Sequence, residues 1–233
     1  MSKVIWTTYY TGKPNPQRTA KKAVPNDFSM IKEWYDSVVR LRLQGVIFHD
    51  HLTNEFIKRY SCPNVAFTRV PYYSERGLND ERYYMYQRML KNPAIEWLLT
   101  TDLFDVEFPR NPFEFMTDKT KIYVGSETPD VANFHVIKNN TCRAYGEIPD
   151  WWPMVDKYLL NAGIIGGHRD IMIRLFDLMI KDFDKIEPKG MDANMFVLSR
   201  CIHGYDMPFV TGFPLHSSYK KYEKDGQYYI RHK

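Results

Sequence analysis

The sequence predicts a single α/β domain, in which helices cover both faces of a central, mostly parallel mixed sheet of about six to eight strands. Two observations lead to this fold class. Strand-like runs alternate with helix-like segments as far as about residue 110, a rhythm typical of right-handed βαβ units. The chain has 233 residues and a hydrophobic content of 44%, enough for one substantial core. It contains no internal repeat, low-complexity segment or linker, so 1–233 is expected to fold as one unit.

The first part of the chain supplies three strands and three helices. Each strand-like run is short, rich in β-branched or aromatic residues, and followed by a Gly, Pro or Asp. Strands are predicted at 4–10, 45–49 and 65–70, and helices at about 30–43, 54–60 and 79–92. Asp27 or Ser29 is expected to cap the first of these helices.

A fourth strand carries the most informative stretch of the sequence. The run 97–106 begins with apolar residues and ends with Asp102 and Asp105, three positions apart. A buried strand delivers such residues to the carboxyl edge of a sheet, where ligands bind in this fold class. Two carboxylates there suit a divalent cation, which usually accompanies a diphosphate. An ordinary acidic turn explains the same pair.

The second half of the chain shows a less regular pattern. Small residues interrupt a β-like run at 158–168, which marks places where another group approaches the backbone closely. Trp151 and Trp152 are expected in a surface loop, where an exposed aromatic pair could stack on a ligand ring, form a lid or contact a subunit. Further elements are predicted as a turn at 111–113, strands at 121–127 and 207–210, a helix at 169–183, a helix after 190–192, and a strand-like basic tail at 228–233.

Charge and cysteine content narrow the possible partners. A net charge of +4, with acids and bases interspersed, suits an anionic small ligand and is too small to indicate nucleic acid. Cys62, Cys142 and Cys201 lack a Cys-x-x-Cys spacing, which favours buried thiols over a disulfide framework or a zinc site. The pattern contains no signal peptide or membrane span, so a cytoplasmic location is expected, in the host cytoplasm if the chain is viral.

Several motifs follow one another in an order that resembles one enzyme family. They are the stretch 101–106, the turn 111–113, the run 161–167, Asp192 and a C-terminal His-Lys pair. Together they resemble the nucleotide-sugar-dependent glycosyltransferases of the GT-A fold, most of all its small viral and bacterial members. The order of motifs covers nearly the whole chain. One departure is the spacing Asp-x-x-Asp, where the family has Asp-x-Asp, and this leaves open which carboxylate holds a metal directly.

The resemblance implies a bound Mn²⁺ or Mg²⁺, which would act as a Lewis acid on the diphosphate leaving group. Asp105 would be the direct metal ligand, and Asp102 would contact the ribose or a metal-bound water. A late histidine would be the third ligand: His232, favoured because it lies in a C-terminal strand among basic residues, or His216. A packing or surface role is the simpler alternative for either histidine.

The resemblance also divides the domain into a nucleotide-binding part, about 1–110, and an acceptor part, about 111–233. The first strand and its loop would hold the base and ribose, and the run of small residues would form a wall around the donor sugar. The residues implied in binding the nucleotide sugar are Thr7, Thr8, Tyr9, Gly12, Arg82, Asp102, Asn161, Ala162, Gly163 and Lys233. Ordinary packing, a Gly-rich turn and surface salt bridges remain open alternatives for these residues.

Two carboxylates are candidates for the acid–base step. Asp192 is implied near the acceptor or the anomeric carbon, where in an inverting enzyme it would take the proton of the acceptor hydroxyl. Its simpler role is that of a helix N-cap, since it precedes a predicted helix. Glu127, at the end of a predicted strand, is the second choice. Asp50, flanked by His49 and His51, forms a further polar cluster, for which a polar loop is the simpler account.

The expected activity is the metal-assisted transfer of a sugar from a UDP- or GDP-sugar to a hydroxyl acceptor in glycan synthesis. A sugar nucleotidyltransferase remains an alternative, although it would normally show a Gly-rich basic phosphate loop after the first strand, of which 11–14 is a poor version. A non-catalytic module that binds carbohydrate or protein is the other alternative. The stereochemistry of transfer, the donor sugar, the acceptor and the oligomeric state depend on geometry that residue types do not determine.

Overall fold

The computed structural model describes residues 2–13, 23–127, 131–147, 150, 159–187, 192–217 and 227–232. Within these residues the prediction of an α/β fold is confirmed, because helices flank a mixed, mostly parallel sheet of seven strands. A second sheet has two short strands. None of the described helices is both long enough and apolar enough to cross a membrane.

The seven-stranded sheet has the order β3-β2-β1-β4-β7-β6-β8, and the two-stranded sheet pairs β5 with β9. The strands are β1 (Ser2–Tyr9), β2 (Gly45–His49), β3 (Val65–Arg69), β4 (Ile95–Thr101), β5 (Val106–Glu107), β6 (Ile122–Glu127), β7 (Leu159–His168), β8 (Phe209–Val210) and β9 (Arg231–His232). Neighbours in the large sheet are parallel except for β7, which runs antiparallel to both β4 and β6. Because β7 is reversed, its amino-terminal half reaches the edge of the sheet at which β4 and β6 end.

The helices are α1 (Lys32–Arg40), α2 (Asn54–Tyr60), α3 (Leu78–Met89), α4 (Val131–Tyr145), α5 (Arg169–Phe183) and α6 (Asn194–His203). α1 is shorter than predicted: Asp27 caps a 3₁₀ turn at Phe28–Met30, and the helix ends before Arg42, whose φ is 54°. α4 was not predicted from the sequence. The predicted strand 97–106 ends at Thr101, so the two carboxylates lie in the turn between β4 and β5.

Alternating side chains of β1 join two cores, one on each face of the sheet. Trp6 stacks on Tyr86 of α3, with ring centroids 5.9 Å apart. Ile5 points the other way and belongs to the cluster that contains Trp34 of α1. Each large side chain buried in this way contributes about 1.5–3 kcal/mol relative to its exposed state. The sheet is therefore held rigidly from both sides, and its carboxyl edge is a firm platform for the loops.

The strand order reverses between β1 and β4. From β1 the chain moves outward through β2 to β3, and it then returns to form β4 on the opposite side of β1. In open α/β sheets such a switch point leaves a crevice at the carboxyl ends of the two strands, and ligands bind there. The loop after β1 and the turn after β4 flank this crevice.

Candidate metal centre

Asp102, Asp105 and His232 meet at the carboxyl edge of the sheet. One ligand atom of each residue lies within 4.8 Å of those of the other two. The Nε2 atom of His232 is 3.8 Å from Oδ2 of Asp102 and 3.8 Å from Oδ1 of Asp105. Two ligands about 2.1 Å from one ion can be up to about 4 Å apart, so these separations fit a shared cation. The carboxylate side chains are 35% and 33% exposed and the imidazole 2%, which leaves access from one side.

The position of Asp102 follows from how β4 ends. Its backbone N–H donates to the carbonyl of Gly163 in β7, over 2.9 Å. The preceding residue, Thr101, is held on both sides: its carbonyl accepts from the hydroxyl of Thr7 at 2.8 Å, and its hydroxyl accepts from the indole of Trp34 at 2.9 Å. Because these groups are buried, their hydrogen bonds hold the backbone of Thr101 in place and so position Asp102, the first residue after β4.

His232 reaches the cluster because β9 pairs with β5, the strand that follows the acidic turn. His232 stands opposite Val106 in the antiparallel pair, and Arg231 forms an ion pair with Glu107 beside it. The backbone N–H of His232 donates to the hydroxyl of Ser217 at 3.2 Å. Asp105 and His232 are more than a hundred positions apart in the sequence. They come together because the acidic turn lies between β4 of the main sheet and β5, which pairs with β9.

Gly163 lies directly beneath the cluster. A Cβ atom at this position would come within 2.6 Å of Oδ2 of Asp102, 2.6 Å of Cε1 of His232 and 2.8 Å of Oδ1 of Asn161. Such distances are shorter than any side chain tolerates, so the approach of these three groups requires a glycine. The sequence signal for this close approach, small residues inside a β-like run, was correctly interpreted.

Asn161 connects the cluster to Glu127. Its side-chain oxygen accepts from the backbone N–H of Gly163 at 2.6 Å, and its amide nitrogen donates to a carboxylate oxygen of Glu127. Asn161 is 5% exposed and Glu127 is half-buried. Both polar ends of the Asn161 side chain are thus engaged by the protein, which favours a role in positioning Glu127 over the expected contact with the donor sugar.

Arg82 of α3 is buried against the same site. Its guanidinium donates through Nη1 to Oδ1 of Asp102 and through Nη2 to the carbonyl of Ala162 at 3.0 Å. Burial works against the charge of this group, but the neighbouring Tyr83 and Asp102 outweigh burial and keep the pKa of Arg82 well above its usual value. The structure therefore places Arg82 against a carboxylate of the candidate metal centre, as a buried cation and not as the surface salt bridge considered from the sequence.

The predicted nucleotide contacts in β1 divide into two groups. Thr7 and Tyr9 are fully buried, and the hydroxyl of Tyr9 donates to the carbonyl of Val24 at 2.6 Å. Their side chains therefore face the core, which is at odds with the expectation that they hold the base or ribose. Thr8 and Gly12 are half-buried at the carboxyl end of β1, next to the crevice.

Asp50 organises the loop that follows β1, a role that the sequence did not reveal. Its carboxylate accepts from the backbone N–H of Thr11 at 2.9 Å, from that of Gly12 at 2.6 Å, and from the hydroxyl of Tyr72. Burial alone would raise the pKa of Asp50, but these hydrogen bonds lower it below the usual value. His51, 3.2 Å away, completes the group. The only sequence signal for this role was the position of Asp50 directly after β2. In the structure its carboxylate stabilises the loop after β1.

Asp192 does not cap a helix. α6 begins at Asn194, its N-cap position is Ala193, and no side chain caps it. The carboxylate of Asp192 accepts from the side-chain amides of Asn79, at 2.9 Å, and Asn194, at 2.8 Å. The simpler role considered for Asp192 is therefore corrected: it links the amino ends of α3 and α6.

His216 lies outside the three-residue cluster. Its Nε2 atom accepts from the backbone N–H groups of Ser126, at 3.1 Å, and Gly212, at 2.9 Å, while Nδ1 lies 2.7 Å from the carbonyl of Ser217. Burial lowers the pKa of the imidazole, which favours its neutral form. Both ring nitrogens are used to hold the segment before β9, so of the two histidines considered, the geometry favours His232 as the metal ligand.

Lys233, Trp151 and Trp152 lie outside the described residues, so their expected roles stay predictions. Comparison of the chain with known protein families gave no match, and comparison with curated proteins gave none either.

Proposed function

We propose that this protein is a metal-dependent glycosyltransferase that moves a sugar from a nucleotide-diphosphate donor, a UDP- or GDP-sugar, to a hydroxyl acceptor. The observation that carries the proposal is the meeting of Asp102, Asp105 and His232 beside the β1/β4 switch point. Two carboxylates and one imidazole form a donor set that suits Mn²⁺ and, less well, Mg²⁺. A group of candidate metal ligands at this crevice supports diphosphate chemistry, because switch-point crevices hold nucleotides in many α/β folds.

In such a reaction, different residues of the chain would hold the metal ion and bind the nucleotide. A divalent ion bound here would supply Lewis-acid stabilisation of the departing diphosphate. Asp102, Asp105 and His232 would hold the ion, and Gly163 leaves the space in which their side chains converge. Thr8 and Gly12, which are half-buried at the carboxyl end of β1, would contact the nucleotide.

The proton of the acceptor hydroxyl would pass to a carboxylate if transfer proceeds with inversion. Glu127 is the better supported candidate, because it ends β6 at this edge and contacts Asn161, which in turn contacts Gly163. Asp192 remains the alternative; its half-buried carboxylate accepts hydrogen bonds from the side-chain amides of Asn79 and Asn194.

One observation weighs against a sugar nucleotidyltransferase. That class needs a basic group in the loop after the first strand to hold phosphate. Here the Lys13 ammonium donates to the carbonyls of Ser74, at 2.8 Å, and Arg76, at 3.0 Å, and it lies 3.5 Å from the carboxylate of Glu81. The charge of Lys13 is thus committed to the loop before α3, so within the described part of the loop after β1, which ends at Lys13, no lysine is left to hold phosphate.

The proposal is tested by thermal denaturation and calorimetric titration with UDP and with GDP, each with and without Mn²⁺. We expect stabilisation by one diphosphate only when Mn²⁺ is present, of about 2.7 kcal/mol at a hundred times Kd. Asp105→Asn should remove that stabilisation, because it removes a charged ligand from the cluster. Asp36→Asn, at an exposed position of α1, is the matched control and should respond as the wild type does.

A second pair of variants assigns the histidine. His232→Ala should largely abolish Mn²⁺ binding, whereas His216→Ala should lower stability and weaken Mn²⁺ binding only slightly, because His216 reaches the cluster only through Ser217 and β9. The reverse pattern would contradict the assignment. Stabilisation by a diphosphate that is independent of metal, or no response to either diphosphate, would overturn the proposed function and favour a binding module. Turnover of a nucleotide sugar, followed as release of UDP or GDP, then completes the test.

A further inference from the structure

The imidazole of His216 connects two strands at a point where they no longer pair with each other. β8 pairs with two residues of β6 and ends at Val210. Farther along β6, the backbone N–H of Ser126 donates to Nε2 of His216 at 3.1 Å. The backbone N–H of Gly212, two residues beyond β8, donates to the same nitrogen at 2.9 Å. The ring therefore takes the place of a strand-to-strand hydrogen bond at the carboxyl edge of the sheet.

The other ring nitrogen connects His216 to β9. Nδ1 lies 2.7 Å from the carbonyl oxygen of Ser217. The hydroxyl of Ser217 accepts from the backbone N–H of His232 at 3.2 Å, and the backbone N–H of Ser217 donates to the carbonyl of Ile230 at 2.9 Å. One buried side chain thus connects the end of β6 to the strand that carries a residue of the candidate metal centre.

These partners determine where the proton of the neutral ring lies. A backbone N–H can only donate, so Nε2, which receives two of them, must carry the lone pair. A carbonyl oxygen can only accept, so Nδ1 must carry the hydrogen. The hydroxyl of Thr211, 3.1 Å from Nε2, can turn to donate as well. A second proton on the ring would meet these N–H groups without an acceptor, so the contacts disfavour the charged form.

Glu127 follows Ser126 directly and is held from two sides. Its carboxylate accepts from the side-chain amide of Asn161 in β7, and the backbone before it is fixed by the hydrogen bond from Ser126 to His216. A carboxylate that takes a proton from a substrate must lie within hydrogen-bond reach of it. A displacement of about 1 Å can therefore cost much of the rate. The hydrogen bond to His216 is thus in a position to affect the reaction without any contact with the substrate.

We propose that neutral His216 is a positioning residue, which places the Glu127 carboxylate relative to the candidate metal centre for transfer of the acceptor proton. The inference rests on the proposed function, because it assigns a role in the reaction of the same site. It also separates His216 from a residue that only fills space: the lone pair on Nε2 is required, and the volume of the ring is not enough.

The surroundings of the ring make this role sensitive to acid. The charged or titratable neighbours of its partners are Glu127 in β6 and Arg231 and His232 in β9. Burial lowers the pKa of His216, and the hydrogen bond to the Ser217 carbonyl raises it by a smaller amount. The ring is therefore neutral at neutral pH. Once it takes up a second proton in acid, its hydrogen bonds from β6 and from the turn after β8 are lost.

The position of the ring proton is tested on the unaltered chain, so this test does not depend on the folding of a variant. Two-bond ¹H–¹⁵N correlation spectra of protein labelled with ¹⁵N-histidine show which ring nitrogen carries hydrogen, and the His216 signals are identified by their loss in His216→Gln. At neutral pH we expect hydrogen on Nδ1 alone. On acidification the backbone amide signals of Ser126 and Gly212 should shift with the same midpoint as the ring. Hydrogen on Nε2 at neutral pH, or amide signals that do not follow the ring, would overturn the inference.

Two variants separate the lone pair from the volume of the ring. His216→Gln keeps a neutral acceptor oxygen near the position of Nε2, whereas His216→Leu fills the space without an acceptor. Turnover of a nucleotide sugar, followed as release of UDP or GDP, should have a kcat about tenfold lower in His216→Leu and at most about threefold lower in His216→Gln. KM for the donor and the Mn²⁺ affinity should change by about threefold or less in both variants. His135→Gln, at an exposed position of α4, is the control and should match the wild type.

The pH profile of turnover separates positioning from packing. In the wild type both Glu127 and His216 must be free of the extra proton, so kcat should fall more steeply in acid than it does in His216→Gln. A wild-type kcat in His216→Leu, or equal losses in both variants with an unchanged profile, would contradict the inference and leave the glycosyltransferase proposal in place. If the spectra are as expected but the wild type neither binds nor turns over a nucleotide sugar, the proposed function fails, and the role of His216 in proton transfer fails with it.

Discussion

Two arginine–aspartate pairs lie at or beside α3, and they differ in how far water reaches them. In the Arg82–Asp102 pair the aspartate side chain is 35% exposed, whereas in the Arg76–Asp80 pair the arginine and aspartate are 1% and 0% exposed. The first aspartate stands with two other ligand groups at the edge of the crevice. The second is enclosed among α3, α5 and α6. The same two residue types thus contribute to a candidate cation site in one place and connect helices in the other.

The enclosed pair shows what full burial does to a carboxylate. Asp80 accepts from the backbone N–H of Ala193 at 3.2 Å, and Arg76 donates to the carbonyls of Phe183 and Ile186. Burial and then the charge of Asp192 raise the pKa of Asp80 to about 8, although Arg76 and the N–H of Ala193 lower it. A carboxyl group that holds its proton near neutral pH offers little to a cation. The exposure of about one-third of the Asp102 and Asp105 side chains is therefore part of what makes their cluster a candidate metal centre.

The largest effect is expected from Gly163→Ala, which fills the space beneath the exposed cluster. The new Cβ would stand 2.6 Å from both Asp102 and His232, so these side chains must separate. We expect the affinity for Mn²⁺ to fall by a factor of about 100 or more. Overpacking should also lower the free energy of unfolding by about 1–3 kcal/mol. Calorimetric titration with Mn²⁺ and urea denaturation measure the two parts.

Gly167→Ala is the control for this substitution on the same strand. Its Cβ would be 3.0 Å from Cγ2 of Ile171 and 3.2 Å from the carbonyl of Lys121, away from the cluster. It should also lower the stability, but it should leave the Mn²⁺ response unchanged. If both variants bind Mn²⁺ as the wild type does, the three side chains do not form a cation site.

Asp80→Asn tests the enclosed pair through the pH dependence of stability. The unfolded chain releases the Asp80 proton near the ordinary aspartate pKa of 3.8, while the folded chain keeps it to about pH 8. Folding therefore takes up a proton in this interval, and the contribution of Asp80 to the free energy of unfolding falls as the pH rises from about 4 to about 8. In Asp80→Asn this loss disappears. The difference in stability between pH 5 and pH 8 should change by about 2–4 kcal/mol relative to the wild type.

Urea denaturation at the two pH values measures this difference, and Asp36→Asn should keep the wild-type slope. The Mn²⁺ affinity of Asp80→Asn should stay unchanged, because Asp80 contacts Arg76 and Ala193 between the helices and does not belong to the cluster of Asp102, Asp105 and His232. A pH slope that is the same in Asp80→Asn and in the wild type would show that the enclosed carboxyl group is ionised in the folded chain.

The sequence was informative where a local pattern carries the structural information. Runs of β-branched and aromatic residues located β1, β2 and β3 to within two residues at each end. Small residues in the run at 158–168 correctly marked a close approach, now found at Gly163. The grouping of Asp102, Asp105 and His232, expected from the order of motifs, is found in the structure.

Features that depend on distant partners could not be predicted. The antiparallel direction of β7 has no local signature, because an apolar, Gly-rich run can form a parallel or an antiparallel strand equally well. The burial of Arg82 depends on Asp102 and Ala162, which become its neighbours only when α3 packs on the sheet. Likewise, Thr7 and Tyr9 were expected to face a nucleotide, but their alternation along β1 turns both toward the core on the α1 side.

The smallest effect is expected from Glu107→Gln, which removes the ion pair with Arg231 between β5 and β9. Both side chains are about one-fifth exposed, and pairs of this kind contribute about 0.2–1 kcal/mol. Because His232 follows Arg231 in β9, a looser β9 should also weaken Mn²⁺ binding, by about threefold or less. Glu96→Gln removes a comparable pair with Lys119, at the amino-terminal end of β4, and should leave Mn²⁺ affinity unchanged. Equal Mn²⁺ affinity in both variants would show that β9 is held by its backbone pairing and by Ser217, so that the exposed ion pair contributes nothing to the metal site.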